Sequence, residues 1–207
     1  MSIFDSFCAF DCETSGFLPR GRILELGLVV FENGRSVYEW SQLFCPEGVD
    51  WTSDDVKSAL AVNHITREML EGKPTFNQVV PDLLLEFEHD LWVAHNASFD
   101  LGMLNSEFLR YGRQAPAPAL SCCTMQLSSY LNNVQGHKLA QVAERYGVKP
   151  DGAHRAVADA AACGAVFHEM TKSGKLPDSL AEMQELTRKA DHAWKTRSRG
   201  RRPGDHS

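Results

Sequence analysis

Residues 7–17 read FCAFDCETSGF, an apolar run that passes into two carboxylates, Asp11 and Glu13, and then breaks at Gly16. Alternate residues of a β-strand point to one face, so a strand here places both carboxylates on the same face, ~7 Å apart along the chain. Carboxylate oxygens are the ligands that Mg²⁺ and Mn²⁺ prefer. An isolated Asp-X-Glu is more often a hydrated acidic strand end, so a metal site needs further residues.

Residues 91–100, LWVAHNASFD, carry a third acid. The apolar run Leu91–Ala94 predicts a strand, and the helical spacing that starts at Ala97 places Asp100 on the first turn of a helix. An acid there also complements the helix dipole by roughly 0.3–1 kcal/mol, without any further function. The order strand, polar segment and helix nevertheless puts Asp100 near a strand's carboxyl end, where ligands of α/β sheets bind.

Residues 152–170, GAHRAVADAAACGAVFHEM, predict an alanine-rich helix that carries Asp159 in its early turns. His154 and Asp159 are five residues apart, which is ~140° on a continuous helix. They can share a face only if His154 lies on a loop before the helix, and Gly152 allows that placement. A charge such as Asp159 in an otherwise apolar helix is expected to have a partner.

In this order, DCETSG, HNASFDLGML and HRAVADA resemble the motifs of the DEDD superfamily of 3′→5′ exonucleases, in the DnaQ-like branch whose last motif carries a histidine. The stretch AVNHITREMLEGKPTFNQV also resembles the epsilon proofreading subunit of bacterial DNA polymerase III. The resemblance covers roughly residues 3 to 172. It implies a ribonuclease H-like α/β fold, with a mixed central sheet flanked by helices.

By this resemblance, two divalent cations, Mg²⁺ or Mn²⁺, are bound by four carboxylates. Asp11 bridges both ions, Glu13 and Asp159 complete the first, and Asp100 serves the second. His154 is the implied general base, a role suited to an unperturbed pKa of ~6.5. The implied reaction releases nucleoside 5′-monophosphates from single-stranded or frayed DNA 3′ ends.

The resemblance also implies a set of substrate-binding residues, namely Thr14, Ser15, Gly16, Phe17, His95 and Asn96. Stacking on Phe17 would tolerate any base, as a nuclease without sequence preference requires. Packing at the turn after the strand is an equal alternative for Phe17. For His95 and Asn96 the alternative is to cap the helix that follows.

Alternating strand-like and helix-like segments in 207 residues predict one α/β domain. The predicted strands are 3–11, 22–32, 36–44 and 91–94, with an Asn33-Gly34 hairpin turn between the second and third. The predicted helices are 75–89, 97–111, 124–131, 138–146, 156–171 and 177–195. We expect an exonuclease domain over 1–175, a helix over 176–195 that packs on or extends it, and a basic, disordered tail over 196–207.

The charge is unevenly distributed along the chain. Residues 188–207 hold seven Lys or Arg and two Asp, a net charge of +5, so a formal charge of −6 for the whole chain leaves −11 on residues 1–187. Because nucleic acids bind mainly through phosphate neutralisation, we expect the acidic part alone to bind DNA weakly. The basic tail is predicted to attract nucleic acid or to tether a polymerase or other replication partner, unless it is simply a solvated terminus.

The chain has no apolar run long enough to span a bilayer and no signal peptide, which predicts a cytoplasmic protein without a membrane partner. Its six cysteines form no C-x-x-C pair and are predicted to be reduced, buried thiols.

Two alternative functions remain open on the sequence alone. An RNA exonuclease of the ribonuclease T or oligoribonuclease type would use the same five catalytic residues, and the 2′-hydroxyl would distinguish the substrates. The resemblance of residues 61–80 and 95–104 to the epsilon subunit favours DNA. A non-catalytic nucleic-acid-binding module is the second alternative, but inactive relatives usually lose a ligand and this chain retains all five residues.

Overall fold

A five-stranded mixed sheet with the order β3-β2-β1-β4-β5 forms the centre of the computed structural model, which describes residues 2–83, 88–134, 136–150 and 155–200. Its strands are β1 Ser6–Thr14, β2 Ile23–Glu32, β3 Arg35–Leu43, β4 Leu91–Ala94 and β5 Leu120–Cys123. The helices are α1 Asp54–Asn63, α2 Arg67–Leu70, α3 Phe76–Leu83, α4 Ala97–Arg110, α5 Thr124–Asn132, α6 Leu139–Arg145, α7 Ala156–Lys172 and α8 Leu180–Gly200. The predicted α/β class, with a mixed sheet flanked by helices, is confirmed.

Strand pairing brings the predicted acidic segments to one edge of the sheet. β1 pairs antiparallel with β2 and parallel with β4, and β4 pairs parallel with β5. The carboxyl ends of β1, β4 and β5 therefore face the same way. Ligand sites of α/β sheets form at this edge.

β1 begins and ends three residues later than predicted. It runs from Ser6 to Thr14, so Glu13 as well as Asp11 lies within the strand. Residues 2–5 instead form a turn, in which the Ser2 N–H donates to an Asp5 carboxylate oxygen at 2.8 Å. Pairing with the long buried strand β2 extends β1 past the acids, which a local apolar pattern does not show.

Alternation along β1 separates two cores. Phe7 belongs to the cluster that contains Phe167 of α7, with ring centroids 5.2 Å apart. Phe10, on the opposite face, belongs to the cluster that contains Met103 of α4. Asp11 has the same parity as Phe7, so its side chain lies on the α7 side of the sheet.

The predicted hairpin turn is confirmed. Asn33 and Gly34 have φ values of 49° and 76°, the left-handed pair that a two-residue type I′ turn requires. A Cβ at Gly34 would lie 2.1 Å from the ring of His168 on α7, so glycine is also needed for packing.

Three elements are missing from the sequence prediction. In α1 only Val56 and Asn63 are buried, so the helix has no apolar stripe that periodicity could detect. α2 has four residues, and β5 is a four-residue strand whose only partner in the described sheet is β4. β5 also accounts for the adjacent Cys122 and Cys123, which are buried strand residues.

The helix predicted over 75–89 is shorter in the structure. Its described part is Phe76–Leu83, residues 84–87 lie outside the described residues, and residues 88–89 are not helical. All six cysteines are free thiols, and all but Cys45 are buried.

The C-terminal helix is longer than predicted. α8 runs to Gly200, so residues 196–200 of the predicted disordered tail are helical, and 201–207 lie outside the described residues. Met183 and Ala190 are buried in the core, and Arg197 donates to the Ser129 hydroxyl at 3.0 Å. Packing against α5 and β5 stabilises a polar segment that the sequence alone does not predict to be ordered.

Within the described ranges, no helix combines the length and the apolar character needed to cross a bilayer.

Candidate metal centre

Three carboxylates from two elements meet at the sheet edge. One oxygen from each of Asp11, Glu13 and Asp159 lies within 4.8 Å of the other two, and all three side chains are half-buried. Asp11 and Glu13 share a face of β1, and Asp159 lies on the first turn of α7. The structure thus brings together acids from two motifs that are almost 150 residues apart in the chain.

A close helix–sheet contact places Asp159 there. Gly27 of β2 lies opposite Asp11, and a Cβ at Gly27 would lie 2.1 Å from the backbone nitrogen of Val157. The start of α7 therefore rests directly on the sheet backbone beside β1. A side chain at position 27 would displace α7 and Asp159 with it.

Asp100 approaches the same part of β1 from the other side. It lies on the first turn of α4, as predicted, and is 2% exposed. Its Oδ1 accepts a hydrogen bond from the Cys12 N–H at 3.0 Å, between the two acids of β1. All four predicted carboxylates are therefore gathered around residues 11–13.

Burial and mutual repulsion raise the pKa values of these acids. The pKa of Asp11 is well above its ordinary value because of burial and the neighbouring charges of Asp100 and Glu13. Burial, with Asp159 next, raises the pKa of Glu13 to about 7, and burial raises the pKa of Asp100 to about 8. Among the described residues, no lysine or arginine forms a salt bridge with these three acids.

The donor set fits a hard divalent cation. Clustered carboxylates without a cation repel one another and retain protons, whereas Mg²⁺ or Mn²⁺ would stabilise their ionised forms. Three oxygens from separate side chains within 4.8 Å of one another match the spacing of ligands around one ion.

An ion pair between a buried glutamate and a half-exposed arginine, which the sequence analysis missed, holds the start of α7. Glu25, fully buried on β2, accepts from Arg155 at 2.8 Å and from the Ser41 hydroxyl at 2.7 Å. It also accepts from the Ala156 N–H at 3.4 Å. The signal in the sequence is a single glutamate inside the apolar strand ILELGLVVF, since a buried charge needs a partner.

The predicted general base, His154, lies outside the described residues. Its place in the site stays a prediction that rests on the HRAVADA motif.

The turn after β1 is held by its own polar side chains. The Thr14 hydroxyl donates to the Gly16 carbonyl at 3.0 Å, and the Ser15 hydroxyl accepts from the Arg22 N–H at 3.0 Å. Gly16 has a φ of 139°. In the structure, Thr14 and Ser15 shape the loop beside the carboxylates.

Phe17 extends from this turn into solvent. Its side chain is 80% exposed and contacts Phe99 edge-on, with ring centroids 5.8 Å apart. The two rings, together with Ala59 and Val62 of α1, line an apolar cleft of about 320 Å³ that borders Glu13. Phe17 thus contacts one neighbouring ring at the turn and leaves most of its own surface open to solvent.

His95 is bonded within the protein through both ring nitrogens. Nε2 lies 2.7 Å from the His137 carbonyl oxygen, which can only accept, so Nε2 carries the proton. Nδ1 then accepts from the Thr124 hydroxyl at 2.9 Å. Burial lowers the pKa of His95 to about 4, so the ring is neutral and connects the end of β4 to the start of α5.

Asn96 occupies the N-cap position of α4 without capping it. Its φ of 69° is left-handed, its side chain makes no capping hydrogen bond, and the residue is exposed beside the site. The alternative that the Asn96 side chain caps the helix is therefore wrong.

Comparison with known proteins identifies similar chains. A family model described as exonuclease, RNase T, matches residues 8–167. The chain is 32% identical to the DNA polymerase III subunit epsilon of Treponema pallidum, over 80% of this chain and 76% of that protein. It is 29% identical to the PolC-type DNA polymerase III of Clostridium perfringens, over 91% of this chain but only 13% of that polymerase.

Solved structures show the same architecture. Exonuclease X in complex with 5′ overhanging duplex DNA has a TM-score of 0.66 and 26% identity, over 87% of this chain and 99% of that one. The nuclease domain of 3′hExo, a DEDDh family member bound to rAMP, has a TM-score of 0.68 and 19% identity, over 82% and 93% of the two chains. At 19% identity, the similarity to the nuclease domain of 3′hExo shows a shared fold only.

Proposed function

The chain belongs to the RNase T-type exonuclease family, and on this premise we propose that it removes nucleoside 5′-monophosphates from the 3′ ends of single-stranded or frayed DNA. The observation that supports metal-dependent hydrolysis is the meeting of Asp11, Glu13 and Asp159, with Asp100 bonded to the strand between the first two.

The four acids have separate roles in this proposal. Asp11, Glu13 and Asp159 would hold one divalent cation, and Asp11 with Asp100 would hold a second. When bound, a pair of Mg²⁺ or Mn²⁺ ions supplies an activated water and stabilises charge on the leaving oxygen. Without ions, the carboxylates repel the phosphates of the substrate, so the protein alone has no electrostatic means of placing a phosphodiester there.

The protein's own groups then orient the reaction. His154 accepts a proton from the attacking water, and the water oxygen bonds to phosphorus. The bond between phosphorus and the 3′ oxygen breaks, and that oxygen takes up a proton from solvent to become the new 3′-hydroxyl. The Asp100 bond to the β1 backbone keeps the acids of α4 and β1 in a constant arrangement. Glu25 accepts hydrogen bonds from Arg155 and from the Ala156 N–H, and so holds the two residues that directly follow His154.

The apolar cleft beside Glu13 is the proposed site for the terminal nucleoside. Phe17 and Phe99 offer ring surfaces that any base can contact, at roughly 1–3 kcal/mol per stacked base. Because this contact reads no base edges, it favours an enzyme without sequence preference. Asn96, exposed at the start of α4, is proposed to contact the substrate strand.

DNA is the proposed substrate because the similar curated chains are a DNA polymerase subunit and PolC-type DNA polymerases. The chain spans about an eighth of the PolC-type relatives, so association with a polymerase or another replication protein is proposed as well. The domain assignment of residues 1–175, with α8 packed on it, is part of the same proposal.

The decisive experiment uses 5′-labelled single-stranded DNA and RNA of one sequence, with Mg²⁺ or Mn²⁺. A ladder that shortens from the 3′ end of DNA, and that Asp11→Ala abolishes, is the expected result. Glu169→Ala, which removes an exposed acid of α7, is the matched control and should leave the ladder unchanged. Preference for RNA would transfer the proposal to RNA substrates, and cleavage of neither would contradict it.

A further inference from the structure

A second ion pair, with both side chains buried, lies on the α4 side of the sheet. Arg22, 7% exposed, and Glu107, 1% exposed, form a bidentate ion pair with N–O distances of 2.7 Å and 3.0 Å. The desolvation of two charges largely offsets their attraction, so a buried ion pair is a poor explanation of stability by itself. The contacts that this ion pair makes with the rest of the fold must therefore account for its presence.

The pair connects three parts of the chain. Glu107 lies in α4 and also accepts from the Ile23 N–H, at the start of β2, at 3.2 Å. Arg22 donates to the Glu47 carbonyl after β3 and to the Tyr111 hydroxyl, the latter at 3.3 Å. The carboxylate and the guanidinium thus use their several hydrogen-bonding positions to join α4 to the loops at this edge of the sheet.

Both members are linked to the proposed metal centre. The Arg22 backbone makes two hydrogen bonds with Ser15, directly after the end of β1 that carries Glu13. The Arg22 N–H donates to the Ser15 hydroxyl at 3.0 Å, and the Arg22 carbonyl accepts from the Ser15 N–H at 2.9 Å. Glu107 lies seven residues after Asp100, about two helical turns along the same face of α4. Helix α4 is therefore attached at two points, one of which is Asp100 itself.

We propose that Arg22 and Glu107 are positioning residues that hold α4 at the correct distance from β1, so that Asp100 and Asp11 can share a second divalent cation. This inference rests on the proposed metal-dependent function. It assigns a role to two residues that contact neither the cation nor the substrate. The cation bound by Asp11, Glu13 and Asp159 depends on β1 and α7 and is independent of the pair.

The test is a Mn²⁺ titration of the full chain without substrate, with free Mn²⁺ measured by electron paramagnetic resonance. The Mn²⁺-binding class that is lost in Asp100→Asn is the class that requires α4. Glu107→Gln should weaken that class by about tenfold, the usual effect of losing a residue that orients a ligand, and should leave the other class unchanged. The exposed variant Glu169→Gln is the control and should match the unmodified protein.

A double variant, Arg22→Met with Glu107→Leu, separates positioning from stability. Apolar replacement of a buried ion pair commonly preserves stability, so this variant should melt near the unmodified protein and yet keep the weakened Mn²⁺ class. Full recovery of Mn²⁺ binding in the double variant, or unchanged binding in Glu107→Gln, would overturn the inference alone. If the unmodified protein bound no Mn²⁺, the proposed function would fail as well.

Discussion

Two groups of buried or half-buried acids lie at this edge of the sheet, and they differ in their partners. Glu25 and Glu107 each form a salt bridge with an arginine, Arg155 and Arg22 respectively. Asp11, Glu13 and Asp159 of the candidate metal centre instead approach one another within 4.8 Å. Balanced acids bind parts of the fold together, whereas acids that repel one another are arranged for a cation from solution.

The largest expected effect is loss of activity at the acids of the candidate metal centre. Asp11→Asn removes the acid shared by both proposed cations and should lower kcat by about 10³-fold, since a metal ion supplies several kcal/mol of transition-state stabilisation. In EDTA the same variant should melt at a higher temperature than the unmodified protein, because one repelling charge is gone. Exonuclease assays and thermal melts check the two effects.

Lower thermal stability of Asp11→Asn in EDTA would contradict this contrast between the two groups of acids. It would show that the acids of the metal centre stabilise the fold as the paired glutamates do. Glu169→Gln is the control for a charge change at an exposed site on α7.

The next effect is on stability at the balanced group. Glu107→Gln leaves Arg22 as a buried guanidinium without its counter-charge and should lower the free energy of unfolding by roughly 3–5 kcal/mol. Glu25→Gln should cost less, about 1–3 kcal/mol, because Arg155 is half-exposed and can be hydrated. Urea unfolding measures both, and equal losses would show that exposure of the arginine does not decide the outcome.

The pH dependence of the metal-free protein tests the same contrast. Asp100 and Glu13 have ordinary pKa values of 3.8 and 4.5, which folding raises to about 8 and about 7. The folded state therefore binds more protons than the unfolded state, and stability should decline as the pH rises from about 4 to about 8. Melting in EDTA at pH 5 and pH 8 measures this decline.

Saturating Mn²⁺ should abolish or reverse that decline, because the cation binds the ionised carboxylates. An equal decline with and without Mn²⁺ would show that groups outside the metal centre cause it.

A smaller effect is expected at the apolar cleft. Phe17→Ala removes a ring that is 80% exposed, so stability should change by less than ~0.5 kcal/mol. Loss of one stacking contact should raise KM on single-stranded DNA about tenfold. Val37→Ala, a smaller truncation at an exposed position of β3, should change neither quantity, and an unchanged KM in Phe17→Ala would exclude the stacking role.

The smallest effect concerns the C-terminal residues. Ending the chain after Gly200 removes Arg201 and Arg202, which could neutralise at most two phosphates. The slope of log affinity against log salt for single-stranded DNA should fall by no more than ~1.4. An unchanged slope would mean that the basic residues of α8, not the last seven residues, supply the electrostatic attraction.

Much of the element order follows from local patterns, and the exceptions have local causes. The strand Leu91–Ala94 and the starts of α4, α5 and α7 agree with the prediction because apolar periodicity begins there abruptly. β5 was missed because four residues show no period, and it exists through pairing with β4. Helix α8 was predicted too short because packing against α5 stabilises its polar end.

For the site, the chemistry follows from local sequence: the identity of the four carboxylates, the shared face of Asp11 and Glu13, and the helix turns that carry Asp100 and Asp159. These properties depend on residue type and on the local period of strands and helices. Periodicity also assigns an element to each acid, but it contains no information about which elements come into contact.

Which side chains meet depends on tertiary packing. Gly27 brings α7 onto the sheet so that Asp159 reaches Asp11, and strand pairing extends β1 past its two acids. The partners of Glu25 and Glu107 lie 130 and 85 residues away in the chain. Such contacts depend on how whole elements pack, and no local pattern of hydrophobicity or charge specifies them.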